Sequence, residues 1–338
     1  MVPTPRRGEP RAPLRELGRW SSLDDETRSS LADRSIDALI DPALRASVCA
    51  LLDDVKARGD AALVDALATY DGCRVPADGL RVSSDELDRG LAATSPEVVA
   101  ALEDAIAHVR RFNEEVCTRG SWSFEPEPGL RLGERVTPIE SAGLFVPSGK
   151  GSFPSVLVQL AVPALVAGVP VLEVVVPPVP GGGGDVDPAV LAACRLLDLD
   201  AVFRLNGPSG IGALAFGTES VGKVRLVVGP GSPAVTCAQL EVQRHGTVTS
   251  MVLGPTESLV LADGTASPDL VAADLLNEAE HGSDSTSLLV TTSSDLVRDV
   301  QAALATRLAA LPEPRRAYAA DALGVHGGAV LVDDLDEA

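Results

Sequence analysis

The chain of 338 residues carries 28 Lys and Arg against 48 Asp and Glu, a formal charge of −20. At ~100–200 residues per domain its length corresponds to about two domains, and a hydrophobic fraction of 45% excludes global disorder. So acidic a surface repels phosphate backbones and anionic lipid, and ten aromatic residues leave few stacking platforms, so neither nucleic acid nor a membrane is an expected partner.

Residues 1–19 hold five arginines and several prolines without an apolar run, which reads as a frayed tail over 1–20 rather than a secretory signal. Helices follow. Asp41-Pro42 precedes Leu44, Val48, Leu51, Leu52 and Val55, the spacing of one apolar helix face. Ser95-Pro96 opens another helix, with Val98, Val99, Leu102, Ile106 and Val109 facing inward. From Ile139 the texture changes to short apolar runs bounded by Pro or Gly, at 144–146, 172–176, 201–205 and 224–228, with helical patterns between them. A second series has strands at 258–262, 288–291 and 329–332 and helices from Pro268 and Asp295. Right-handed crossovers then give two open, helix-covered sheets.

The five cysteines, Cys49, Cys73, Cys117, Cys194 and Cys237, are odd in number and form no C-x-x-C pair. A disulfide framework and a thiolate zinc site are not expected, and a reducing cytoplasm fits. Residues 143–151, GLFVPSGKG, are not a Walker A loop: five residues separate Gly143 from Gly149, and Gly151 stands where magnesium needs a hydroxyl. Gly229-Pro230-Gly231 follows a strand but lacks the third glycine of the dinucleotide fingerprint.

Of four histidines, His108, His245 and His326 read as solvated or packing residues. His281 ends a helix three residues after Glu278, so carboxylate and imidazole project from one face and can share a divalent cation, zinc before others. On spacing alone the plainer alternative, a helix-end histidine favoured by the dipole beside a solvated glutamate, stays open.

Several segments read together resemble the histidinol dehydrogenase family. Gly143–Gly149 is similar to its G-L-Y-x-P-G-G; 213–224 with 228–231 resembles its cofactor-side region; GPTESLVLAD (254–263) resembles G-P-S-E-x-L-V-x-A-D; ADLLNEAEHGSDS (273–285) resembles A-D-L-L-S-Q-A-E-H-x-x-D; and KARGD (56–60) fits its amino-terminal region. The resemblance implies a zinc-assisted, NAD-dependent oxidation of an amino alcohol to an amino acid in histidine biosynthesis, carried out by a cytoplasmic homodimer on a small-molecule substrate. It implies two incomplete Rossmann-like, doubly wound α/β domains with an amino-terminal helical region. On this chain they would be 21–138 plus 246–338, and an inserted 139–245.

Carried over by position, the resemblance places Glu278 and His281 as metal ligands, Glu278 standing for a glutamine, and Thr256 as the substrate hydroxyl. Phe145, Ser209 and Ser232 fall on cofactor positions, replacing a tyrosine, a glutamine and an asparagine. The family's general-base Glu-His pair, its remaining zinc ligands and its small carboxy-terminal domains would lie beyond Ala338, so this chain alone is not expected to complete the oxidation. Three readings compete: a truncated member of the family; a homologue that has lost the reaction and serves binding, assembly or another pathway; and a periplasmic binding protein, which the missing signal disfavours.

Overall fold

The computed structural model describes residues 12–32, 40–118, 120–147, 151–250 and 256–338. In chain order the elements are β1 (Glu16–Arg19), α1 (Asp25–Ala32), α2 (Pro42–Arg58), α3 (Asp60–Tyr70), α4 (Ser84–Ala93), α5 (Pro96–Val116), β2 (Trp122–Glu127), β3 (Leu130–Glu134), β4 (Ala142–Phe145), α6 (Pro154–Val166), β5 (Leu172–Val176) and α7 (Pro188–Leu196). They continue as β6 (Val202–Arg204), α8 (Gly207–Phe216), β7 (Leu226–Val228), α9 (Pro233–Gln243), β8 (Val248–Thr249), β9 (Glu257–Ala262), α10 (Pro268–Ala279), β10 (Thr286–Thr291), α11 (Ser294–Ala310), α12 (Arg315–Asp321) and β11 (Gly328–Leu331).

The helix starts follow from their caps. Asp41 accepts from the amides of Ala43 and Leu44 at 2.8 Å each, and Pro42 fills the first position, where no amide is needed. Ser95 and Pro96 repeat the arrangement for α5. Ser83 and Glu86 form a reciprocal capping box at the start of α4.

The chain divides into two compact units, 40–253 and 1–39 with 254–338. The larger holds a five-stranded parallel sheet in the order β6-β5-β4-β7-β8. The chain winds outward from β4 through β5 to β6, then returns to β7 on the other side of β4, which makes the β4–β7 junction a topological switch point. Its strands are apolar on both faces, as sheets covered by helices require: Leu144, Val174, Val175, Val202 and Val227 are each 0% exposed.

The smaller unit has four parallel strands in the order β1-β11-β10-β9. Its core gathers Leu14, Leu275, Leu289, Val300 and Leu304.

Two expectations about boundaries are corrected. Helices α2 to α5 belong with the five-stranded sheet, not with the carboxy-terminal elements. Leu52, Val55, Leu63 and Leu67 share a core with Val175, Phe203 and Ile211, and α2 rides so close to α8 that a Cβ on Gly212 would lie 3.1 Å from a Leu52 methyl. Residues 12–20 are also not a frayed tail: Leu14 is fully buried, and β1 pairs in parallel with β11 from Glu16↔Ala329 to Arg19↔Leu331. Residues 1–11 lie outside the described residues. Among the described residues no helix is long and apolar enough to cross a membrane.

Candidate functional site

In the smaller unit, Thr256 directly precedes β9, while Glu278 and His281 close α10 just ahead of β10. These residues therefore share the amino-terminal edge of the four-stranded sheet. The Thr256 hydroxyl lies 3.4 Å from that of Ser285, which is 2% exposed, and the Thr286 amide donates to the Thr256 carbonyl at 3.1 Å.

His281 is exposed, and its Nδ1 sits 3.2 Å from the Glu278 carbonyl oxygen. When Nδ1 carries the proton and donates there, Nε2 keeps its lone pair facing away from the helix, the form in which imidazole binds a metal. Glu278 is half-buried, and its Oε1 is buried with no hydrogen-bond partner among the described residues. A carboxylate oxygen out of water without a donor is costly, and a cation beside it would offset that cost. Glu280, on another face of the same turn, is taken by Arg315 at 3.2 Å.

Glu278 and His281 have the chemistry of zinc donors, but a tetrahedral site needs four ligands. Among the described residues no group of three or more His, Cys, Asp or Glu side chains is gathered to hold a metal. The two residues fit as half of a donor set and do not close a zinc site by themselves.

In the larger unit the three expected cofactor positions all follow the carboxyl ends of strands. Phe145 ends β4, Ser209 lies in the first turn of α8 after β6, and Ser232 is the residue before α9, after β7. Ligands of open α/β sheets bind at this edge, near the switch point. The side chains differ in what they offer. The Phe145 ring is 1% exposed, inside the core. Ser209 is 4% exposed and donates its hydroxyl to the Asn206 carbonyl at 2.8 Å. Ser232 is exposed and makes no capping bond through its side chain.

The backbone around them is firmly set. Gly229 has φ +138°, and a Cβ there would lie 2.0 Å from the Phe145 carbonyl oxygen, so only glycine lets the loop after β7 cross the end of β4. The buried Gln239 side chain donates to the Gly229 carbonyl at 2.8 Å. Asn206 caps α8 by accepting from the Gly207 amide at 2.8 Å and donates to Asp71 at 2.7 Å. Burial pushes the Asp71 carboxyl above its usual value, and the Asn206 bond partly offsets this. Residues 148–150 of the loop after β4, including the expected Ser148-Gly149 of the glycine motif, lie outside the described residues.

Sequence reasoning missed Ser285 as the neighbour of Thr256, and Asp71 with Asn206 as the pair that fixes the start of α8. Register alone would have found the first, because Thr286 lies opposite Glu257. The second joins residues 135 apart and leaves no local trace. Of the remaining histidines, His245 packs edge-on against Phe216 with centroids 5.3 Å apart, and His108 lies 3.6 Å from Asp104 on an exposed helix face.

Two parallel, helix-covered sheets define an α/β protein. A family model for histidinol dehydrogenase matches residues 37–338. The chain is 38% identical over 330 residues to a histidinol dehydrogenase homolog of Colwellia psychrerythraea, covering 96% of this chain and 72% of that one. It is 40% identical over 296 residues to a histidinol dehydrogenase of Rhizobium meliloti, covering 87% and 66%. A crystal structure of histidinol dehydrogenase from Elizabethkingia anophelis superposes with a TM-score of 0.86 at 29% identity, over 97% of this chain and 73% of that one. The chain belongs to the histidinol dehydrogenase family, and it spans about two thirds to three quarters of the length of these relatives.

Proposed function

We propose that the chain supplies the binding part of a histidinol-dehydrogenase-type oxidation of an amino alcohol, with zinc and NAD as the cofactors of the complete reaction. The observation that carries this reading is the buried Oε1 of Glu278, without a hydrogen-bond partner among the described residues, beside a histidine whose Nδ1 lies 3.2 Å from the Glu278 carbonyl oxygen. Zinc, when bound, supplies Lewis acidity to a coordinated group. The residues of this chain contribute binding and orientation. Glu278 adds negative charge where a protonated amino group or a metal is to sit, His281 offers a neutral nitrogen, and Thr256 offers a hydroxyl to a polar substituent of the substrate. An overall charge of −20 draws a cationic amino alcohol toward the protein.

The test is calorimetric titration with histidinol in the presence of zinc. Wild type is expected to bind; Thr256→Ala should weaken binding about fivefold, the value of one hydrogen bond near 1 kcal/mol. His281→Ala should weaken it more than Thr256→Ala does. Unchanged affinity in both variants contradicts the reading.

A second reading, a homologue that binds without oxidising, draws support from the larger unit. Phe145 and Ser209 are turned inward, which leaves Ser232 as the one cofactor-position side chain facing solvent. Titration with NAD separates the two. Saturable binding that Ser232→Asn tightens favours the oxidoreductase, and no binding by either protein favours the second reading.

A further inference from the structure

Strands β9 and β10 carry two hydroxyl pairs, two residues apart along each strand and so on one face of the sheet. In the inner pair, Ser258 and Ser287 face each other with their hydroxyls 3.3 Å apart. Ser287 is fully buried and donates its hydrogen to the Leu275 carbonyl of α10 at 2.9 Å. Toward Ser258 it is therefore an acceptor, and the Ser258 hydrogen is spent on it. The inner pair is closed, and its two hydrogens serve to hold α10 on the sheet.

The outer pair is open. Thr256 and Ser285 have their hydroxyls 3.4 Å apart, but Ser285 is buried at 2% exposure whereas Thr256 is exposed. A buried hydroxyl hydrogen needs a protein acceptor, while an exposed one can turn to water or a ligand. Ser285 is thus the donor and Thr256 the acceptor, and the Thr256 hydrogen is left over. Both residues are fixed through their backbones: the Thr286 amide donates to the Thr256 carbonyl at 3.1 Å, and the Ser285 amide donates to the Gly282 carbonyl at 3.0 Å, in the turn directly after His281. We propose that Ser285 is a positioning residue: by donating to Thr256 it makes the Thr256 hydroxyl a donor to the oxygen of the amino alcohol, not an acceptor from its ammonium group. This role rests on the reading of Thr256 as the substrate hydroxyl. It adds to that reading a residue without substrate contact and a direction for the hydrogen bond.

The test compares histidinol with histamine, which keeps the imidazole and the amino group but lacks the hydroxymethyl group, by calorimetric titration of the full chain in the presence of zinc. The ratio of the two affinities should fall about fivefold in Thr256→Ala and about threefold in Ser285→Ala, as for loss of a hydrogen bond and of its alignment. The double variant should match Thr256→Ala, because Ser285 acts only through that hydroxyl. Ser287→Ala, in the closed pair, should leave the ratio unchanged whatever it does to stability. An unchanged ratio in Ser285→Ala, a double variant whose losses multiply, or an equal fall in Ser287→Ala would each overturn the positioning role while histidinol still binds. Wild type that binds neither compound contradicts the proposed function itself, and the positioning role falls with it. Should Ser285→Ala fail to fold, Ser285→Cys, of similar size but a weak donor, takes its place with the same expected fall.

Discussion

In the five-stranded sheet the candidate residues follow β4, β6 and β7, whereas in the four-stranded sheet they precede β9 and β10. The two edges differ electrostatically for that reason. The carboxyl edge of the larger sheet presents the amino-terminal ends of α8 and α9, whose positive dipole ends favour anionic groups such as nucleotide phosphates. The amino edge of the smaller sheet presents the carboxyl end of α10, whose carbonyls favour cations, and Glu278 adds to that preference. Two sheets of like architecture thus have candidate edges of opposite polarity, according to which end of the strands carries the residues.

The supports behind the edges differ too. The larger unit backs its edge with a buried ion pair: Arg204, the last residue of β6, is 7% exposed and donates to Glu86 at 2.6 Å and to the Gly184 carbonyl at 2.9 Å. Behind the smaller edge, Ser287 instead donates its hydroxyl to the Leu275 carbonyl at 2.9 Å, a neutral bond. Arg204→Leu, which strands a carboxylate at reduced hydration, should lower stability by about 3 kcal/mol in urea unfolding. Ser287→Ala should cost about 1 kcal/mol. Equal losses would remove the contrast.

A smaller effect concerns acid. Burial pushes the Glu86 carboxyl up, but the Ser83 amide, the Arg204 guanidinium and the Ser83 hydroxyl together hold it below its usual value. A depressed carboxyl contributes stability that is present above its unfolded pKa and is lost as pH falls through its folded value. The urea midpoint of wild type should therefore drop on acidification more steeply than that of Arg204→Leu. Parallel acid profiles would show that the pair does not set this dependence.

Much of this arrangement is legible in the sequence where the signal is local. The caps at Asp41-Pro42 and Ser95-Pro96 and the apolar strand runs are found where their residue patterns predict. What escapes is tertiary. The apolar face of α2 reads equally well against either sheet, and only packing on α8 assigns it. The four residues of β1 carry no strand pattern of their own and become a strand by pairing with β11. The β2–β3 ribbon does carry a local signal, the alternation of Trp122/Phe124 and Leu130/Leu132 around Pro128-Gly129, which the helical texture before it obscures. The inward turn of Phe145 and Ser209 is invisible in the motif, because a replaced side chain says nothing of where it points.

The most direct test of the amino edge is zinc binding at equilibrium, measured by equilibrium dialysis against graded zinc, for wild type, Glu278→Gln and His281→Ala. Two donors of four predict weak but saturable zinc binding in wild type, binding kept in Glu278→Gln through the amide oxygen, and at least a tenfold loss of affinity in His281→Ala, in line with loss of a direct ligand. The same zinc affinity in His281→Ala as in wild type would contradict it.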